Sequence, residues 1–352
     1  MTNRFYIDKL NSAKILSKDE WISLLGSFTE DDREYAASLA REISEKIYKN
    51  EIFMRGLIEI SNFCKNDCYY CGIRCGNKNA IRYRLAKEDI LNCAKEGYLL
   101  GFRTFVLQGG EDLYYTDEIM CDIIKTLKQK YPDCAVTLSL GEKTKQTYQK
   151  YFDAGADRYL LRHETANETH YTKLHPEKMS LKTRKECLYN LKSIGFQVGA
   201  GFMVGSPHQT IENIAEDMIF LSSFKPHMVG IGPFIPHKDT PFANFSAGDV
   251  VLTLFLLSLT RIMLPNVLLP STTALGTAEK DGRIKGILAG ANVIMLNLSP
   301  KEVKAKYMLY DNKVGTTGET VNHKKDFEEK LKEIGYEAVI GRGDFAKGVT
   351  NI

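Results

Sequence analysis

The sequence predicts an α/β protein built as a complete (β/α)8 barrel of the TIM type, with a helical cap before it and helices after it. Three observations carry the prediction. Eight short, apolar, β-prone runs occur between Gly56 and Asn297. Amphipathic segments with helical spacing fill the gaps between them, the pattern of a parallel sheet with crossover helices. Polar and unusual residues gather at the C-terminal ends of these runs, where barrels of this kind carry their sites. A doubly wound open sheet is the competing architecture, and the spread of such residues over all eight runs favours the barrel.

Residues 1–54 read as a helical cap. Thr29-Glu30-Asp31-Asp32 resembles an N-cap followed by first-turn acids, and Tyr35, Leu39, Ile43 and Ile47 recur at helical spacing. The barrel is expected over residues 55–300. Its strands are 56–61, 104–109, 135–140, 158–163, 197–204, 228–235, 267–272 and 292–297. Its helices are 87–100, 116–130, 143–153, 180–194, 210–223, 249–263 and 280–288. Residues 301–352 read as a helical extension closing the barrel, with helices at 301–310 and 323–336.

The 352 residues carry a net charge of +3 with 26% charged side chains, evenly mixed, which argues against nucleic acid and anionic membrane as partners. The N-terminus lacks the apolar core of a secretory signal. The most apolar stretch, Val250 to Leu264, contains Ser258, Thr260 and Arg261, is too short to span a bilayer and reads as a buried helix. The cysteines stand at 64, 68, 71, 75, 93, 121, 134 and 187, with none beyond. That clustering does not suit a secreted disulfide framework and points to a reducing cytoplasm.

The first strand run leads into Cys64-Lys65-Asn66-Asp67-Cys68-Tyr69-Tyr70-Cys71. Three thiols spaced C-x3-C-x2-C on one polar loop can face a common centre. Structural zinc takes four protein ligands, whereas three cysteines suit a [4Fe–4S] cluster with one iron left open. Cys75 reads as a bystander. The second run ends Gly109-Gly110-Glu111, which is either a close backbone approach to a ligand or a plain βα turn. The third ends at Ser139. The fourth ends Arg162-His163-Glu164-Thr165, ionisable groups that burial favours only when paired or bound to a ligand. Glu164 and Arg184 together can grip a zwitterion. In the sixth run, Met228 reads as core filling and His237 as a loop histidine. Ser271-Thr272-Thr273 ends the seventh, either to bond a polar ligand or to cap the next helix.

The cysteine spacing, with Tyr70 before the last thiol, resembles the radical S-adenosylmethionine (SAM) superfamily. The resemblance implies that the open iron chelates SAM and that an electron from the cluster yields a 5′-deoxyadenosyl radical. Gly109-Gly110-Glu111 resembles the superfamily motif that binds the SAM amino group. Four further phrases, beginning at Arg55, Arg162, Met228 and Pro270, resemble the HydE family of [FeFe]-hydrogenase maturases, and the likeness runs from about residue 50 to about 310. It implies that Cys64, Cys68 and Cys71 hold the cluster, and that Ser139, Glu164 and Arg184 contact SAM. Arg162, Met228, Thr272, Thr273, Tyr307 and Tyr310 match positions lining the interior, where a small iron-containing or cysteine-derived substrate binds. HydG and HydF are the implied protein partners, with a reducing electron donor. Some HydE proteins carry a second cysteine triplet near the C-terminus. Here that region reads Lys313-Val314-Gly315-Thr316-Thr317-Gly318, so one cluster is expected. The alternatives are a radical SAM enzyme acting on carbon, of the methylornithine synthase or biotin synthase type, and a non-catalytic iron–sulfur carrier.

Overall fold

The structure, a computed structural model, describes residues 2–346. Three helices open it: α1 (Asn3–Ala13), α2 (Lys18–Ser27) and α3 (Glu30–Tyr48). Ser17 with Glu20, and Thr29 with Asp32, form reciprocal capping boxes that start α2 and α3. The expected N-cap at Thr29 is therefore present.

There follow β1 (Glu51–Ser61), α4 (Lys87–Leu99), β2 (Thr104–Gly109), α5 (Asp117–Lys130), β3 (Ala135–Ser139), α6 (Lys145–Asp153), β4 (Arg158–Leu160), α7 (Glu168–Leu174) and α8 (Leu181–Ile194). Next come β5 (Gln197–Ala200), β6 (Met203–Val204), α9 (Ile211–Phe224), β7 (Met228–Val229), β8 (Gly232–Pro233), α10 (Val250–Met263), α11 (Thr273–Ala278) and α12 (Gly282–Leu288). The chain closes with β9 (Val293–Asn297), α13 (Lys301–Lys304), α14 (Thr320–Glu333) and β10 (Glu337–Val339).

The strands form a curled parallel sheet in the order β1-β2-β3-β4-β5-β7, with β9 on the other edge of β1. Single parallel bridges, Met228 to Leu268 and Pro270 to Val293, lie between β7 and β9. The seventh predicted strand is thus reduced to isolated pairings. Pro270 has no N–H to give, and the Leu269 N–H goes to the Asn292 side chain at 2.9 Å.

Other boundaries move for local reasons. The fifth and sixth runs each break in two, because Gly201, at φ +150°, lies so near Gly230 that a Cβ there would sit 2.0 Å from its carbonyl oxygen. The β6–β8 pair continues beyond the break. β4 stops at Leu160 rather than His163. β1 begins five residues before the predicted strand, inside the expected cap, since Ile52 and Met54 bury inward and Glu51–Phe53 pair with β10. The C-terminal extension is not wholly helical. α13 is a single turn, and β10 adds a parallel strand to β1. The last six residues of the predicted extension lie outside the described residues.

α10 is buried along nearly its whole length and packs on α3, with Phe28 stacked on Phe255 at 4.5 Å. No helix among the described residues is long and apolar enough to cross a membrane.

Candidate cofactor and substrate site

The loop after β1 is held by side chains rather than by regular structure. The Arg82 guanidinium donates to the carbonyls of Asn62, Ile73, Arg74 and Asn77. Asp67 pairs with Arg74 at 2.7 Å and accepts from Gly76 N at 2.8 Å. Cys64, Cys68 and Cys71 are free thiols on this frame. The backbone N–H of Glu111 points at Cys64 Sγ, 3.4 Å away. Gly110 is glycine for the same approach, since a Cβ there would lie 2.2 Å from Phe63 O. Burial, with the nearby Cys64 charge adding to it, pushes the Cys71 thiol up to about 12. Such thiols ionise only beside positive charge, which bound iron provides. Among the described residues no three His, Cys, Asp or Glu side chains converge on a point suited to one metal ion. Three thiols on one loop, one for each of three irons, fit a [4Fe–4S] cluster. Cys75 is exposed, and its N–H closes the loop onto Asn66 O at 2.9 Å.

Cys71 and Tyr70 look into a cavity of about 310 Å³ at the C-terminal ends of the strands. Gly109, Ser139, Arg162, Glu164, Arg184, Thr272, Thr273 and Tyr310 line it too. Ten residues singled out in the sequence therefore share one chamber. Tyr70 is fixed by its hydroxyl, 3.2 Å from His175 Nε2. Thr272 both faces the cavity and caps α11, accepting from Leu275 N. The capping reading of the hydroxyl run is therefore met at Thr272.

Glu164 sits at φ +66°, a left-handed conformation uncommon for a side chain of its size. Its N–H donates to Gly201 O at 3.1 Å, and its carboxylate accepts from Arg162 Nη2 at 2.9 Å. His163 beside it is wholly buried. Gly201 N donates to His163 Nδ1 at 3.2 Å, so Nε2 carries the proton toward Asp217, also 3.2 Å away. Burial pushes His163 well below its usual range, which keeps the ring neutral. Asp217 accepts from Ala166 N as well, so α9 clamps both sides of Glu164. The ionisable run is thus an internal network with one carboxylate and one guanidinium turned to the chamber. Arg184 donates to Glu142 and to Arg162 O, the latter at 2.7 Å.

The remaining candidates lie outside the chamber wall. Cys64, Cys68, Gly110 and Glu111 belong to the loop and its support. The Glu111 carboxylate accepts from Glu142 N at 2.9 Å and pairs with Lys65 at 3.1 Å. Tyr307 is buried behind the wall, with Lys313 4.8 Å above its ring. Met228 lies lower down, in an apolar cluster with Tyr48, Leu268 and Val293, and its Sδ meets Arg55 Nη1 at 3.3 Å. The structure therefore places Met228 in the floor, as its apolar character suggested, and not among the residues lining the cavity.

Sequence reasoning missed a buried ion pair in the wall. Glu59, 1% exposed, accepts from Lys313 and, at 2.9 Å, from Asn297 Nδ2. Its signal was present: one acid on the inward side of an apolar strand, two residues after Leu57. Lys313 gave none, since it reaches the site from an irregular segment.

A profile of the Radical SAM superfamily matches residues 58–221. The chain is 45% identical over 317 residues to the [FeFe] hydrogenase maturase subunit HydE of Thermotoga maritima, covering 89% of each. It is 27% identical to the 3-methylornithine synthase of Methanosarcina acetivorans, over 91% of this chain and 86% of that one. Among solved structures, methylornithine synthase (PylB) superposes with TM-score 0.82 at 26% identity, covering 95% of this chain and 97% of that one. The [FeFe]-hydrogenase maturase HydG superposes with TM-score 0.80 at 22% identity, covering 97% and 77%, a likeness of fold. With the cysteine loop at the mouth of the curled sheet, these likenesses identify the chain as a radical SAM enzyme, dependent on a [4Fe–4S] cluster and SAM, that belongs to the HydE family.

Proposed function

We propose that the chain acts on a small iron-containing or cysteine-derived substrate inside the chamber, as a step in assembling the active-site cluster of [FeFe] hydrogenase. The observation that carries this is the shared wall. Cys71 and Tyr70 of the cluster loop, Glu164 and Arg184, and Arg162, Thr272, Thr273 and Tyr310 all face one cavity.

Cys64, Cys68 and Cys71 hold the cluster, which, when bound, supplies the electron that splits a carbon–sulfur bond of SAM. Arg184, fixed by Glu142, takes the methionine carboxylate. Glu164, held in its unusual backbone conformation, takes an ammonium or ribose hydroxyl. Ser139 and the Gly109 backbone complete that side. Arg162, Thr272, Thr273 and Tyr310 bind and orient the substrate opposite. Burying the chamber among strands keeps water away from a reactive intermediate.

The single bridges at Leu268 and Pro270 support reading the sheet as a complete (β/α)8 barrel over residues 55–300, flanked by the cap and the C-terminal extension. With no cysteine after Cys187, one cluster suffices. HydG and HydF, together with a reducing electron donor, are the partners this reading implies, in an oxygen-poor cytoplasm.

The test is anaerobic maturation of apo-hydrogenase with HydF and HydG, with and without this protein. Hydrogenase activity should depend on its addition; equal activity in both reactions would remove the maturase reading. A radical enzyme acting on carbon is the second reading, supported by the superposition on methylornithine synthase. It gains if SAM is cleaved while maturation is unaffected.

A further inference from the structure

A second chamber of about 260 Å³ adjoins the first, between the end of β9, α12 and α14. Leu57, Thr273, Met295 and Lys313 line both, so the two share a wall. The charges in it are not all matched. Lys313 is paired with Glu59, and Lys330 with Asp281. Arg283 forms no ion pair among the described residues. The one hydrogen bond its guanidinium makes among the described residues is a long one, 3.5 Å, to the Thr273 hydroxyl. A mostly buried guanidinium with so little compensation favours an anion beside it. Burial accordingly lowers its pKa, with Tyr310 of the first chamber acting the other way. The exposed carboxylate of Asp326 lines the chamber too and forms no ion pair among the described residues. Ile284, Val314 and Phe327 supply apolar wall, beside the His323 ring.

We infer that this side chamber binds a small apolar α-amino acid, its carboxylate on Arg283 and its ammonium on Asp326. A guanidinium fork suits a carboxylate, and one cation and one anion left outside the ion pairs of the same lining suit a zwitterion rather than a simple anion. The shared wall makes the site an anteroom to the substrate cavity, and Thr273 is the hydroxyl that lines both. The inference rests on the proposed function only in treating the first chamber as the reaction site. Binding to Arg283 needs no cluster.

The test is isothermal titration of the oxidised holoenzyme, saturated with SAM to block the cluster site, using L-norleucine, hexanoate and hexylamine as probes. Norleucine should bind saturably, hexanoate more weakly, and hexylamine not at all. Arg283→Gln should weaken norleucine at least tenfold, and Asp326→Asn should bring norleucine down to the level of hexanoate. Should Arg283→Gln fail to fold, as judged by its melting curve, Arg283→Lys is the second variant. It keeps the charge, loses the fork and should still bind several-fold more weakly. Absence of saturable norleucine binding, or unchanged affinity in the Arg283 variants, overturns the site. Equal affinity for hexanoate and norleucine overturns the amino-acid assignment. Failure of SAM itself to bind would instead count against the cluster-site reading and leave the norleucine titration interpretable.

Discussion

At the residue scale, three thiols and one strained glutamate separate two kinds of loss. Cys68→Ala should abolish both the visible absorbance of the reconstituted cluster and all SAM cleavage, because two thiolates leave an iron without a ligand. Glu164→Ala should keep the absorbance and raise the SAM Kd about tenfold or more, the effect of losing one charge-assisted hydrogen bond worth about 1.5–3 kcal/mol. An unchanged Kd would show that Glu164 serves only its ion pair with Arg162. The buried Glu59–Lys313 pair predicts a third outcome. Lys313→Met strands a carboxylate in the wall and should cost about 3–5 kcal/mol in denaturant unfolding, whereas Glu59→Gln combined with Lys313→Met should recover most of it. Equal destabilisation in the single and double variants would mean the pair adds nothing. Legibility at this scale followed chemistry. Cysteines at C-x3-C-x2-C and an Arg-His-Glu run cannot pass as packing, so they stood out. Glu142, His175 and Lys313 were invisible, because each works only through a contact made by folding.

At the element scale, the C-terminal strap is the least foreseeable part. β10 is three residues long, and it becomes a strand only because β1 reaches five residues further down than its apolar run suggests. Beyond it, Asp344 pairs with Arg158 at 2.6 Å and with Arg342 at 2.8 Å, tying the strap beneath the sheet. Burial alone would raise the Asp344 carboxyl, but hydrogen bonds from the two arginines outweigh it and hold the group well below the usual range. For a carboxyl depressed by folding, the stabilisation is present above the unfolded value of ~3.9 and is lost as pH falls through the folded one. The protection of amides in residues 337–346, taken relative to the free-peptide rate at each pH, should therefore fall below about pH 4 before that of the central strands. Asp344→Asn should show the faster exchange already at pH 7. Protection of the strap that is indifferent to pH and to this substitution would contradict the pairing. The helices were legible because amphipathic spacing and capping residues act locally. The seventh strand was legible in position but not in extent, since Pro270 and the Asn292 side chain take away its ladder bonds.

At the scale of the whole molecule, alternating strands and helices make a curled parallel sheet whose C-terminal rim collects one cluster loop and one chamber. Architecture and chemistry were both visible in the order of the chain, since each βα unit delivers its strand end to the same rim. Depth was not: Met228 belongs to an interior run yet lies in the floor beside Arg55, and only the packed structure separates floor from wall. The central claim is that the rim holds an iron–sulfur cluster with one position free for SAM. Its most direct test is anaerobic reconstitution with iron and sulfide, reduction in the presence of SAM, and measurement of 5′-deoxyadenosine. The account predicts four irons per chain and release of 5′-deoxyadenosine that disappears in Cys71→Ala. Bound zinc in place of iron, or a full cluster that releases none, would contradict it.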